Sequence, residues 1–179
     1  MLKKKKKFFS IIVVSLNTKS KFIKTFNSIV NQKFRNYEII VVDGGSKDGT
    51  IDEINKRKDK INKSIIEKDK GIYYAMNKGI KYVRGSWIIF LNSGDKFYDN
   101  RTLFKINKKN LKNYEVIYGD AMISNDSFKY IQHSKTFRNK TFFMPFCHQS
   151  VFTKKNLFNN KKFDTKYKLA SDFEFFYYQ

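Results

Sequence analysis

Apolar residues in the first hundred positions follow two alternating patterns. FFSIIVV (8–14), YEIIVV (37–42), SIIE (64–67) and SWIIFL (86–91) are short apolar runs, as buried strands are. Between them, KSKFIKTFNSIVNQ (19–32) sets Phe22, Phe26, Ile29 and Val30 on one helical face. TIDEINKRKDKI (50–61) opens with Thr50 and Glu53 at capping-box spacing. GIYYAMNKGIKYV (71–83) aligns Ile72, Ala75, Met76, Gly79, Ile80 and Val83 in one amphipathic stripe. Strict strand–helix alternation predicts an α/β fold, a mostly parallel central sheet with helices on both faces. After residue 100 the pattern loosens. YEVIYGD (114–120) reads as a strand with FKYIQHSK (128–135) as its antiparallel partner, and KLASDFEFFYYQ (168–179) as a helix. With no repeat and no linker, residues 1–179 are expected to form a single domain.

Open parallel sheets bind ligands beyond the carboxyl ends of their strands. That rule selects four loops, at 15–17, 43–49, 67–71 and 92–95, each with an acidic or amide side chain. The glycines of DGGSKDGT lack the G-x-G-x-x-G spacing of a dinucleotide site, and no phosphate loop of the G-x-x-x-x-G-K-[ST] kind occurs. One cysteine (Cys147) and two histidines (His133, His148) offer no tetrahedral zinc set. The remaining chemistry is that of hard oxygen ligands, which suits Mg2+ or Mn2+ held by one or two carboxylates and a substrate's phosphates.

Composition narrows this further. The lone cysteine allows no internal disulfide and fits a reducing, cytoplasmic setting. The basic start and FFSIIVV resemble a secretory signal, but no small-residue cleavage site follows, so a first core strand is the better reading. A net charge of +21, mostly lysine, admits three explanations. One is nucleic-acid binding, one is attraction of the lysines at 3–7 to an anionic membrane, and one is compositional drift. Drift accounts for most of it, with peripheral membrane contact a use of it and no specific nucleic-acid partner expected.

The motifs SIIVVSLN, VVDGGSKDGT, EKDKGIYYAMNKGI and WIIFLNSGD, in this order, resemble those of family 2 glycosyltransferases of the GT-A fold. The similarity is greatest to bacterial enzymes building capsular, exopolysaccharide and lipopolysaccharide chains, and it continues through IYGD, CHQSVF and FDTKYKLASDFEFF. It implies an inverting transferase that moves a sugar from a nucleotide-diphosphate donor, a UDP-sugar being the expected one, to a glycan or lipid-linked acceptor. The work would be done at the cytoplasmic face of the membrane.

The resemblance also implies roles by position. Ser15, Asn17, Asp43, Asp69 and Asn92 correspond to contacts with the donor nucleotide, Asp95 to the metal ligand, and Asp172 to the catalytic base. Asp120, His148 and Gln149 correspond to substrate-facing positions. Two places depart from the pattern. Asn92 and Gly94 stand where relatives carry carboxylates, and Tyr74 stands where aspartate is common. The chain stops seven residues after Asp172, short of the helices relatives add, so Phe173, Phe175, Phe176, Tyr177 and Tyr178 are expected to be partly exposed. A relative that keeps the fold but has lost turnover is the first alternative; a basic nucleic-acid-binding protein is the second.

Overall fold

The structure is a computed structural model that describes residues 7–136 and 144–177. The lysines at 3–6, the start of the 142–152 segment and Tyr178 lie outside the described residues. The elements run β1 (Phe9–Ser15), α1 (Lys19–Val30), β2 (Tyr37–Asp43), α2 (Thr50–Asn55), β3 (Lys63–Ile66), α3 (Ile72–Ile80) and β4 (Trp87–Phe90). They continue α4 (Thr102–Asn107), β5 (Val116–Tyr118), β6 (Ala121–Ser124), β7 (Lys129–Gln132), β8 (Val151–Lys154), α5 (Leu157–Asn160) and α6 (Ser171–Tyr177).

The predicted α/β architecture is what forms. A six-stranded sheet has the order β3-β2-β1-β4-β8-β5, with β1 to β4 parallel and β8 antiparallel to both its neighbours. Strand order reverses at β1, which has β2 on one side and β4 on the other, so a crevice opens beyond their carboxyl ends. The pleat sorts the strands' side chains between two cores. Ile12, Ile40, Val42, Ile88 and Phe90 pack on the face carrying α3 and α6. Ile11, Val13, Ile39, Val41, Trp87 and Ile89 pack on the face carrying α1, α2 and α4. Helix α3 lies very close to the sheet: a Cβ on Gly79 would fall 2.7 Å from Ile12 Cγ2.

The far end of the sheet is fastened by a buried carboxylate. Glu38, 1% exposed, accepts hydrogen bonds from Ser10 Oγ (2.6 Å), Arg84 N (2.6 Å), Arg84 Nε (2.9 Å) and Gly85 N (3.1 Å). Burial opposes its ionisation, but the bonds from Ser10 and Arg84 outweigh it and hold the carboxyl below its usual range.

Several expectations need correction. Thr50 is not the cap of α2: Gly49, at φ 88°, holds that position, and Thr50 Oγ1 bonds Asp48 Oδ1 at 2.5 Å. Glu53 turns forward to Lys56 and Arg57 instead of back to the helix start. In α3, Ile72 is exposed and Tyr73 takes its place inside. The partner of β5 is β8, while β7 pairs with the short strand β6 in a separate hairpin. Two aromatic residues expected at the surface are buried, because Phe175 stacks on Phe158 at 4.6 Å and Phe176 meets Phe146 at 5.6 Å.

Candidate active site

The register of the sheet brings the selected loops to one edge. Ser15 pairs with Asp43 and Asp43 with Ile66, and Ser93 N bonds Val14 O at 3.0 Å. Asp43 is fully buried there. Its Oδ1 accepts from Gly45 N (3.0 Å) and Ser46 N (2.7 Å), and its Oδ2 from Ser15 Oγ (2.8 Å) and Ser46 Oγ (2.7 Å). Four donors surround the carboxylate, and the Asp43 and Ser15 side chains are turned toward each other and hold the loop. Asn17 differs. It is exposed, adopts φ 50°, and joins the same loop through Lys47 N→Oδ1 (2.8 Å) and its own N→Ser46 Oγ (2.7 Å).

Gly44 shows why a side chain is missing beside Asp43. A Cβ there would lie 3.2 Å from Leu16 Cδ1 and 3.3 Å from Asp69 Oδ2. Asp69 therefore leans onto the second loop while its Oδ1 accepts from Gly71 N at 3.1 Å. Asn17, Gly44 and Asp69 together form one rim of the crevice.

The loop after β4 forms the opposite rim, and a residue the sequence reading did not single out holds it. Thr25, fully buried on α1, accepts from Gly94 N (2.9 Å) and donates to the Asp95 carbonyl (2.7 Å). Its only signal is a hydroxyl inside the apolar face of Phe22, Phe26 and Ile29. Asn92 Oδ1 and Ser93 Oγ are buried with no hydrogen-bond partner among the described residues. Asp95 is half-buried; its desolvation raises the carboxyl pKa, and the nearby His148 pulls only partly the other way.

These features fit a divalent cation shared with a ligand. Among the described residues no three His, Cys, Asp or Glu side chains gather into a metal cage. Mg2+ and Mn2+ sites of one carboxylate plus ligand phosphates need none. A desolvated carboxylate on such a loop could supply the charge, and Asp95 is the residue that would hold the ion.

Asp120 and Gln149 join Asp95 in lining a cavity of about 680 Å³ between β4, β5 and the β6–β7 hairpin. Asp120 also secures the hairpin, accepting from Ser134 N (2.8 Å) and Ser134 Oγ (3.1 Å) and meeting His133 Nδ1 at 2.9 Å. Gln149 Oε1 accepts from Cys147 Sγ at 3.0 Å.

Asp172 is the second residue of α6, which starts just after Ala170, whose φ of 64° makes the left-handed turn into the helix. Its Oδ1 accepts from Tyr73 Oη and its Oδ2 meets His148 Nδ1, each at 2.8 Å. Burial would raise its pKa, but His148, Tyr73 and the Phe173 N–H bring it down to about 2. Tyr73 moves the opposite way, to about 12, through burial and then the Asp172 charge. The His148 ring lies among Phe90 (5.6 Å), Phe163 (5.7 Å) and Phe176 (6.1 Å). Residues from α3, the turn before β8 and α6 thus converge beside the crevice.

Comparison with known proteins agrees in fold and family. The model of Glycosyl transferase family 2 matches residues 10–173. A PGL/p-HBAD biosynthesis glycosyltransferase of Mycobacterium tuberculosis is 28% identical over 173 residues, covering 93% of this chain and 67% of its own. The Escherichia coli UDP-Glc:alpha-D-GlcNAc-diphosphoundecaprenol beta-1,3-glucosyltransferase WfgD is 30% identical over 135 residues, 73% of this chain and 53% of its own. The crystal structure of Staphylococcus aureus TarS 1-349 in complex with UDP-GlcNAc superposes with a TM-score of 0.72 at 20% identity, covering 94% of this chain and 52% of that one. The chain therefore spans between half and two thirds of the length of these proteins.

Proposed function

The chain belongs to glycosyl transferase family 2, and on that footing we propose that it transfers a sugar from a UDP-sugar to a hydroxyl of a surface-glycan acceptor, with inversion at the anomeric carbon. The observation that carries this reading is the half-buried, desolvated carboxylate of Asp95 in the loop at the sheet's carboxyl edge that also holds the partnerless Asn92 Oδ1 and Ser93 Oγ. Such a loop suits a cation and a diphosphate. The names of relatives supply the substrate class: TarS binds UDP-GlcNAc, and WfgD acts on a diphosphoundecaprenol-linked sugar.

In this reading the rim of Asn17, Gly44 and Asp69 receives the nucleoside, with Asp43 and Ser15 keeping that rim in shape. A divalent cation at Asp95 would offset the charge on the departing diphosphate. Asp95, Asp120 and Gln149 line the cavity into which the acceptor extends. The Tyr73–Asp172–His148 group provides the proton acceptor for the attacking hydroxyl. The lysine-rich surface holds the protein to the anionic cytoplasmic face of a membrane, where a lipid-linked acceptor would be found.

The test is UDP release from a panel of UDP-sugars with Mn2+, with the anomeric configuration of the product read by proton NMR. The reading expects turnover of at least one donor with inversion. A retained configuration would contradict the mechanism. UDP binding without turnover of any donor would indicate a relative that keeps the fold and the nucleotide but not the chemistry.

A further inference from the structure

We propose that Lys21, in the first turn of α1, binds the diphosphate of the donor, standing between the rim that receives the nucleoside and the loop that carries Asp95. This rests on the transferase reading above and adds to it the side chain that meets the phosphates.

One face of α1 runs along the loop after β4, and its contacts fall at helical spacing. Thr25 accepts from Gly94 N and donates to the Asp95 carbonyl, and Ser28 Oγ accepts from Phe97 N at 3.4 Å. Lys21 lies one turn before Thr25 on that same face. Its stem crosses the tip of the loop: the nearest atom that a Cβ on Gly94 would meet is Lys21 Cδ, 3.5 Å away. Gly94 has φ 118°, a conformation that suits glycine and leaves the stem room to pass. Lys21 also lines a pocket of about 360 Å³ together with Asn17. One lysine thus touches both rims.

A diphosphate is the link between a nucleoside at Asn17, Gly44 and Asp69 and a cation at Asp95, so it spans the gap that Lys21 borders. Charge agrees with this placement. Residues 92–95 hold a single carboxylate, since Asn92 and Gly94 are neutral. The charge acting on that carboxylate is that of His148, not of Lys21. No acidic group among the described residues forms an ion pair with Lys21. Asp48, the carboxylate of the shared pocket, is taken up by Lys19 N, Thr50 N and Thr50 Oγ1. Lys19 itself turns to the start of α2, with Nζ 3.3 Å from where a Cβ on Gly49 would be. The Lys21 ammonium therefore keeps its three hydrogens for a ligand, and phosphate oxygens are the acceptors that would bind it most strongly.

The experiment measures binding of UDP and of uridine, both with Mn2+, to the unaltered chain, Lys21→Met, Lys21→Arg and Lys24→Met. Calorimetry serves for UDP and proton NMR titration for the weaker uridine. Methionine keeps an apolar stem over Gly94 and removes only the ammonium, and Lys21 is exposed, so the fold is retained. Lys24, the next lysine of α1, is exposed and lies outside the shared pocket, so it controls for general surface charge. The proposal expects Lys21→Met to weaken UDP about tenfold or more while uridine stays within about twofold. Lys21→Arg should keep most of the UDP affinity, and Lys24→Met all of it. Lys21→Met within about twofold of the unaltered chain for UDP, or an equal loss for uridine or in Lys24→Met, would overturn it. In that case UDP still binds, so the donor reading stands and Lys21 alone is removed from it. If the unaltered chain binds neither ligand, or uridine as tightly as UDP, the diphosphate reading itself fails and the assignment of Lys21 falls with it.

Discussion

At the scale of single residues, the site depends on side chains whose partners are far away in sequence. Thr25 fixes the Asp95 loop through two bonds of 2.9 and 2.7 Å. Thr25→Val keeps the shape, leaves Gly94 N–H without its acceptor, and is expected to lower stability by about 1–2 kcal/mol. UDP affinity in the presence of Mn2+ should fall with it; calorimetry showing unchanged affinity would remove Thr25 from the site. Asp172 makes a pH prediction. Its folded pKa, about 2, lies below that of an unfolded aspartate, so its contribution is complete above about pH 4 and is lost as pH falls toward 2. Urea titrations should show a loss of about 2 kcal/mol across that window which Asp172→Asn removes. These residues explain what the sequence hid: Tyr73 and Asp172 are 99 positions apart, and His148 and Asp172 are 24 apart, so only folding places them in one group.

At the scale of elements, the parallel half was legible and the rest much less so. The runs at 8–14, 37–42 and 86–91 became β1, β2 and β4 because a strand buried on both faces needs continuous apolar sequence, and 64–67 became β3, the largely exposed edge strand. β8 inserts between β4 and β5, and its four residues make a pattern too short to separate from a loop. The β6–β7 hairpin has half-buried or exposed positions throughout, which leaves no hydrophobic period to read. The four carboxyl-end loops do lie along one edge of the sheet, but inward and outward side chains within them were not distinguishable. Asp43 has the same sequence signature whether it faces a ligand or saturates itself on Gly45, Ser46 and Ser15. The opposite edge yields its own prediction. Glu38→Ala strands the donors of Ser10, Arg84 and Gly85 in a buried setting and should cost about 3 kcal/mol. A shifted denaturant midpoint with an unchanged slope is the expected readout; no shift would contradict the staple.

At the scale of the whole molecule, charge and aromatic content are the two features a family assignment leaves over. Two residues of the aromatic tail, Phe175 and Phe176, are part of the fold and complete the core beneath α3, while Tyr177 is exposed. The net charge of +21, mostly compositional, is what the proposed membrane contact would use. Among the described residues no helix is long and apolar enough to cross a membrane. Co-sedimentation with vesicles rich in anionic lipid should be substantial at low salt and weaken steeply as salt rises. Equal binding to neutral vesicles would contradict it. The central claim, that the edge of the sheet holds a metal-bound diphosphate at Asp95, is tested most directly by calorimetry of UDP with and without Mn2+ on the unaltered chain and on Asp95→Asn. The account predicts binding that requires the metal and that the substitution abolishes; binding indifferent to both would contradict it.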